Sequence, residues 1–398
     1  MHKEDEENLE FTEILKVAIS RGASDIHIRA GLRPIFRVFG TLYPYKEHPP
    51  LSAQDIYKVI DSMLNEWQKA RFQQQKQIDL SIGIGEHGRF RVNVFQQRGL
   101  PSIVLRFVPY NVQTTDELLL PPVVKKIAME PRGLVLVTGT TGSGKSTTLA
   151  AIIHHINTHR NCHIITIEDP IEFLHRDYKC LINQREVGFD TESFAAALRV
   201  ALRQDPDVIL VGEMRDFETI QTAILAAETG HLVMSTLHTL DAQETVNRIV
   251  MVYPPHQQQD VRRQLAGIFK GVISLRLVPR ADGRGRVPAV EVMVATARIR
   301  ECIEDSTKIK EIRDVIAKGY TTYGMQTFDQ SLLDLLGKKL ITYDEALKQS
   351  SNPDDFALKV RGVYSTSDTR WQGFDTSAEE HEKDEDVGPE LPIERFEK

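Results

Sequence analysis

The chain has 398 residues, 41% hydrophobic and 26% charged, an ordinary globular composition and length enough for two domains. Its net charge of −7 sits in one segment: residues 366–398 carry eleven acids against four bases, leaving the rest near neutral and unsuited to tracking nucleic acid along a broad basic surface. No run is long and apolar enough to span a membrane, the opening MHKEDEENLE is acidic where a secretory signal is basic, and Cys162, Cys180 and Cys302 form no CxxC pair, so a cytoplasmic protein without a zinc module or disulfide framework is expected.

From Leu9 to Arg21, residues Phe11, Ile14, Leu15, Ala18 and Ile19 recur at helical spacing, and Gly22 ends the run. SDIHI and PIFRVFG then read as strands. Ser52 and Asp55 form a capping pair that opens one long polar helix reaching Gln75. Three strands follow, QIDLSIGI, GRFRVNVF and SIVLRFV, completing a small α/β domain over residues 1–109. In the second of these, Phe90, Val92 and Val94 face one way and Arg89, Arg91 and Asn93 the other. In a meander, Arg106 of the next strand shares the face of Arg91. On pattern alone such arginines form a solvated face.

Residues 110–122 lack periodicity and are bounded by prolines, as a linker would be. From 123 to 364 short apolar runs alternate with helical segments. Val135–Thr138, Ile164–Ile167, Val208–Val211 and Leu232–Thr236 imply a parallel sheet, helices on both faces, and a ligand at the carboxyl ends of the strands. Between the first run and its helix stands GTTGSGKST. Gly139, Gly142 and Gly144 permit positive φ, so that the N–H groups of Thr140, Thr141, Ser143 and their neighbours can point at phosphate oxygens. Lys145 supplies mobile charge and Ser146 a hydroxyl for Mg²⁺. Ser146 and Thr147 open a helix whose N-terminal partial charge falls on the same spot. The full G-x-x-x-x-G-K-S spacing in its strand-to-helix context makes ATP with Mg²⁺ the expected ligand.

Each remaining strand ends in chemically loaded residues. Glu168 and Asp169 follow the second, Gly212 and Glu213 the third, and His238 the fourth, with His231 at that strand's start. Adjacent strands would bring Glu168, Glu213 and His238 to the phosphates, where a carboxylate can orient a water for attack or hold water in a metal shell. Asp169 and both histidines also have a plainer reading as caps. Gly212 occupies the place where most P-loop NTPases carry a metal-site aspartate. Mg²⁺ is therefore left to Ser146, the phosphates and waters, some of them held by Glu213.

GTTGSGKST, TIEDPIEF, DPDVILVGEMRD and AETGHLVMSTLHT, in this order, resemble the Walker A, Asp box, Walker B and His box of the secretion ATPases of type II secretion and type IV pili. ASDIHIRAGLRP and GMQTFDQSL resemble the pilus retraction branch, PilT and PilU, and the likeness runs from Leu9 to Gly362. It implies a RecA-like P-loop ATPase domain preceded by a PAS-like α/β domain, assembled as a homohexamer in which one subunit's first domain packs over its neighbour's ATPase domain. By the same resemblance Arg91 and Arg106 reach the neighbour's nucleotide, Glu168 is the catalytic glutamate, Glu213 the Walker B glutamate, and His231 and His238 the paired histidines. The implied activity is ATP hydrolysis driving pilus retraction and twitching motility at the inner membrane. An inner-membrane platform protein and a paralogous retraction ATPase are the implied partners.

Two stretches depart from the pattern. ARIRECIEDSTKIKEIRDVI stands where retraction enzymes carry an AIRNLI-like motif and keeps Ile299 and Arg300. The segment from Gly324 runs past the usual PilT end toward PilU, with Thr327 capping a helix through Leu332, Leu333 and Leu336, and Thr342 with Glu345 capping the next. The alternatives are an accessory subunit with little ATPase activity of its own, or an assembly or secretion ATPase. The latter usually carries a four-cysteine zinc module and an extra amino-terminal domain, neither of which is seen. Residues 365–398 read as an acidic disordered tail.

Overall fold

The computed structural model describes residues 3–362 apart from 39, 86, 87 and 111; the expectation for the acidic tail lies outside them. The first part comprises α1 (Lys3–Ser20), β1 (Asp25–Arg29), β2 (Ile35–Val38), β3 (Thr41–Pro44), α2 (Ala53–Met63), α3 (Glu66–Gln75), β4 (Gln77–Gly83), β5 (Gly88–Gln97) and β6 (Leu100–Pro109). Its strands form one antiparallel sheet in the order β3-β2-β1-β6-β5-β4. Alternation buries one face: Phe90, Val92 and Val94 of β5 and Ile103 and Leu105 of β6 pack with Ile14 and Leu15 of α1 and Ile56 and Ile60 of α2.

The long helix expected from Ser52 to Gln75 is two helices. Ser52 and Asp55 do form a capping box, but Leu64 turns extended and Asn65 starts a second helix, exchanging hydrogen bonds of 2.9 and 3.0 Å with Gln68. Asn65 and Gln68 are themselves a capping-box pattern, and the local cap outcompetes helix continuation. At the end of β6 the chain is pinned by Val108, which packs on Ile171 and Leu174, and just beyond it by Tyr110, whose ring lies under the guanidinium of Arg176.

The second part contains α4 (Val123–Ala128), β7 (Gly133–Thr138), α5 (Lys145–His159), β8 (His163–Glu168), β9 (Leu181–Glu186), α6 (Phe194–Ala201), β10 (Val208–Val211), α7 (Phe217–Glu228), β11 (Leu232–Leu237), α8 (Ala242–Met251), α9 (Gln258–Ile268), β12 (Phe269–Pro279) and β13 (Arg286–Val294). It closes with α10 (Ala297–Glu304), α11 (Ile312–Lys318), α12 (Tyr320–Tyr323), α13 (Phe328–Gly337), α14 (Tyr343–Gln349) and α15 (Pro353–Val360). The sheet order is β13-β12-β7-β11-β10-β8-β9, parallel throughout except for β13. Both faces are covered, as its apolar strands require. Val135 and Val137 pack on Ile152, Ile153 and Ile156 of α5, while Leu134 and Leu136 face the core shared with α7 to α9.

The four strands expected from sequence are all present and adjacent, β7-β11-β10-β8. β9 and β12 are additional strands: LINQRE is half polar and carries no apolar run, and β12 follows α9 without an intervening turn. Thr327 caps α13 through a capping box with Gln330, and Thr342 accepts from the Glu345 N–H at the start of α14. Cys162 and Cys180, far apart in sequence, touch at the start of β8 and β9, Sγ to Sγ 3.3 Å, both free.

Candidate nucleotide site

β7 ends at Thr138, whose hydroxyl donates to Ser274 of β12 at 2.9 Å, and the chain turns into the loop that begins α5. Gly139 has φ 139°, and a Cβ there would stand 2.5 Å from Ser143 Oγ and 2.6 Å from the Leu275 carbonyl, so only glycine fits. Gly144, in the left-handed region, precedes α5 without a side-chain cap, leaving the first helical N–H groups for an anion. Lys145 folds back over the loop, Nζ donating to the carbonyls of Gly139 (2.8 Å) and Thr140 (3.0 Å). Burial pushes its pKa down from the ordinary lysine value, against the opposing pull of Glu213 and Glu172.

A cavity of about 440 Å³ opens above this loop. Thr141, Gly142, Gly144, Lys145, Ser146 and Thr147 line one side, and Glu168, Gly212, Glu213 and His238 the other. The parallel register accounts for the convergence: Thr138 pairs with Leu237, and Ile167 with Val211, which pairs with Ser235, so all four strand ends lie at one rim. Gly139, Thr140 and Ser143 lie beneath the cavity, as the turn and its carbonyls, and Ser143 Oγ is buried without a partner.

The two glutamates differ in environment. Glu168 Oε1 accepts from the Thr166 hydroxyl at 2.7 Å and from Gln184 Nε2 at 3.2 Å. Burial pushes its pKa above the usual carboxylate range, and those hydrogen bonds only partly offset it. Glu213, with 13% of its side chain exposed, pairs with Arg215 through Oε1 and stands 3.5 Å from His238 Nε2 through Oε2. Gly212 has a packing reason: its N–H donates to the Ile167 carbonyl at 2.7 Å, and a Cβ would meet that carbonyl at 3.3 Å and the Phe194 ring at 3.4 Å.

His231 is not brought to this site. It precedes β11 at the opposite end of the sheet, its ring at 2.9 Å from the Ala226 carbonyl, where it closes the end of α7. Arg91 and Arg106 do lie on one face, directly opposite each other across β5 and β6, but neither lines the cavity. Arg106 Nε donates to Asp25 at 2.9 Å. Burial pushes the Asp25 pKa up, and hydrogen bonds from Arg106 and Ser24 outweigh it to hold the carboxyl below its ordinary value.

Several wall residues carried no signal of their own in the sequence. Arg215 was visible in GEMRD without a role. Glu172, Phe173 and His175 come from the loop after β8, Phe194 from α6, and Leu277 and Arg286 from β12 and β13. His175 is held neutral, burial pushing its pKa down to about 4.

Among the described residues no three His, Cys, Asp or Glu side chains are grouped to cage a metal. One hydroxyl, from Ser146, and one carboxylate, from Glu213, at the same cavity form a hard-oxygen set suited to Mg²⁺ carried largely by phosphates and water. No described helix is long and apolar enough to cross a membrane.

Comparison with known proteins agrees with this geometry. The family of type II/IV secretion system proteins matches residues 3–334. The chain is 45% identical over 348 residues to the type IV pilus retraction ATPase PilT of Pseudomonas aeruginosa, covering 87% of this chain and 100% of that one. It is 39% identical over 353 residues to the type IV pilus ATPase PilU of the same organism, covering 89% and 92%. The crystal structure of the pilus retraction motor PilT with bound ADP superposes with a TM-score of 0.80 at 45% identity, covering 86% of this chain and 97% of that one.

Proposed function

This chain belongs to the type II/IV secretion system protein family, and from that membership we propose that it is an ATP-hydrolysing motor that powers type IV pilus retraction by depolymerising pilin. The single observation that carries the reading is the meeting of the Lys145–Ser146 loop with Glu168 and Glu213 at one cavity. A phosphate cradle alone binds nucleotide. A cradle faced by a buried carboxylate can also turn it over.

In this reading the loop amides and Lys145 hold the phosphates, Lys145 leaving the Gly139 and Thr140 carbonyls for the γ-phosphate. Glu168 orients the attacking water and accepts its proton, a task suited to a carboxylate whose pKa is raised by burial. Ser146, with Glu213 through water, would hold Mg²⁺. When bound, Mg²⁺ offsets charge on the β- and γ-phosphate oxygens. His238 and Arg215 fix the direction of Glu213.

Arg91 and Arg106 sit outside their own cavity, which supports a ring in which residues 1–109 of one subunit close over residues 123–364 of the next. A homohexamer is the assembly proposed, working at the cytoplasmic side of the inner membrane against a platform protein, with a paralogous retraction ATPase as a further partner. Glu168→Gln is expected to retain ATP binding and suppress turnover, and wild-type turnover in the pure variant would discard the assignment. In cells, complementation of a deletion with Lys145→Ala is expected to leave pili extended.

A further inference from the structure

Glu168 does not choose its own direction. Thr166 lies two residues before it on β8, so both side chains emerge on the same face of the sheet. Gln184 is the register partner of Thr166 on the neighbouring strand β9. The result is a three-residue cluster in which the Thr166 hydroxyl (2.7 Å) and Gln184 Nε2 (3.2 Å) both donate to one oxygen, Glu168 Oε1.

The Gln184 amide is fully used. Its nitrogen also donates to the Phe173 carbonyl at 2.9 Å, and its oxygen accepts from the His175 N–H at 2.9 Å. Rotating the amide by half a turn would set oxygen against a carboxylate and a carbonyl, and nitrogen against an N–H. Only one orientation satisfies all three partners. One side chain thus ties Glu168 to the loop that supplies Glu172, Phe173 and His175 to the cavity wall.

We propose that Gln184 is a positioning residue for ATP hydrolysis: together with Thr166 it anchors Oε1 of Glu168, fixing the direction in which the carboxylate addresses the attacking water. This rests on the reading of Glu168 as the residue that orients that water. The ionisable groups that share the cavity with Glu168 are Lys145, Asp169, Glu172, His175, Glu213, Arg215, His238 and Arg286, and Glu186 lies opposite it on β9. Of these, Glu172 acts in two ways: its backbone N–H donates a third, weaker hydrogen bond to the Glu168 carboxylate, and its own charge opposes ionisation by a smaller amount, leaving Thr166 and Gln184 as the two largest anchoring donors.

The test uses the purified full-length protein. Gln184→Glu keeps the shape and the acceptor for His175 but removes both donors, and Thr166→Val removes the second donor at nearly constant volume. Each is expected to lower kcat about ten- to hundredfold, the range for a lost hydrogen bond to a charged group, with the KM for ATP changed less than about threefold. The acid limb of the kcat profile of Gln184→Glu is expected to move to higher pH, because the new carboxylate disfavours ionisation of Glu168. In a Glu168→Gln background, Gln184→Glu is expected to add no further loss.

Unchanged kcat in both single variants would overturn the proposal. So would a KM that rises in step with the fall in kcat, or an equal additional loss in the Glu168→Gln background, since each indicates that Gln184 merely supports the loop. Failure of the underlying reading shows separately, as wild-type turnover in Glu168→Gln alone.

Discussion

Nε2 of His238 stands 3.5 Å from Oε2 of Glu213, and the other oxygen of that carboxylate pairs with Arg215. The carboxylate is nearly buried, while His238 and Arg215 are 47% and 73% exposed, so each of its two oxygens is held from the solvent side by a different group. His238→Ala is expected to lower kcat about three- to tenfold, as for the loss of one long, half-exposed polar contact, with little change in nucleotide affinity. Steady-state ATPase rates alongside equilibrium binding of a fluorescent nucleotide check this.

The burial that equips Glu168 for chemistry works against stability. Its pKa is raised in the folded state, so its contribution is most favourable below the unfolded carboxylate value, near 4.3, and is lost as pH rises through the folded value. Glu168→Gln is therefore expected to raise the Tm of the nucleotide-free protein at pH 8, the gain fading as the pH is lowered toward 4. Calorimetry across that range reads it. A Tm below wild type at pH 8 would show the ionised carboxylate to be stabilising.

Asp25 shows the opposite sign. Its pKa is lowered, because hydrogen bonds from Arg106 and Ser24 outweigh burial, so its stabilising contribution is present above the unfolded value, about 3.9, and is lost as pH falls through the folded value. Asp25→Asn is expected to cost about 1 kcal/mol at pH 7, the exposure of Arg106 screening the pair, and the difference from wild type to shrink in acid. Denaturant titrations at pH 7 and pH 3 check the sign. The same change releases Arg106, so nucleotide turnover by the assembled protein is the second readout.

Gly212 is set by packing. An aspartate there, as in most P-loop NTPases, would press its Cβ on the Ile167 carbonyl and the Phe194 ring. Gly212→Asp is expected to destabilise by about 1–3 kcal/mol, the usual cost of overpacking, and to gain no turnover. A variant with wild-type Tm and faster hydrolysis would show that the strand ends have room to adjust.

The parts legible from sequence were those encoded over short distances. The β7–α5 loop, the four apolar strands, and the caps at Ser52, Thr327 and Thr342 each depend on residues a few positions apart, while the shared face of Arg91 and Arg106 was legible only because two strands joined by a tight turn pair as a hairpin. The break at Asn65 was local too, but the apolar spacing on either side of it suggested continuation. β9 gave no apolar run because Asn183, Gln184, Arg185 and Glu186 bind polar groups of neighbouring segments, and Ile182 alone of its side chains packs on the core.

By itself, the sequence determined that a phosphate cradle exists, because glycine spacing, lysine and helix start lie within one continuous stretch and need nothing distant to take shape. It also determined that carboxylates follow the neighbouring strands. Only the tertiary structure decided which of the flagged residues meet. His231 and His238 are seven residues apart, yet an extended strand carries them to opposite ends of the sheet, roughly 20 Å apart. Gln184 and Glu168 are sixteen apart and touch, because parallel register sets Gln184 beside Thr166. Register between strands is settled by the packing of both sheet faces at once, and no single segment carries that information.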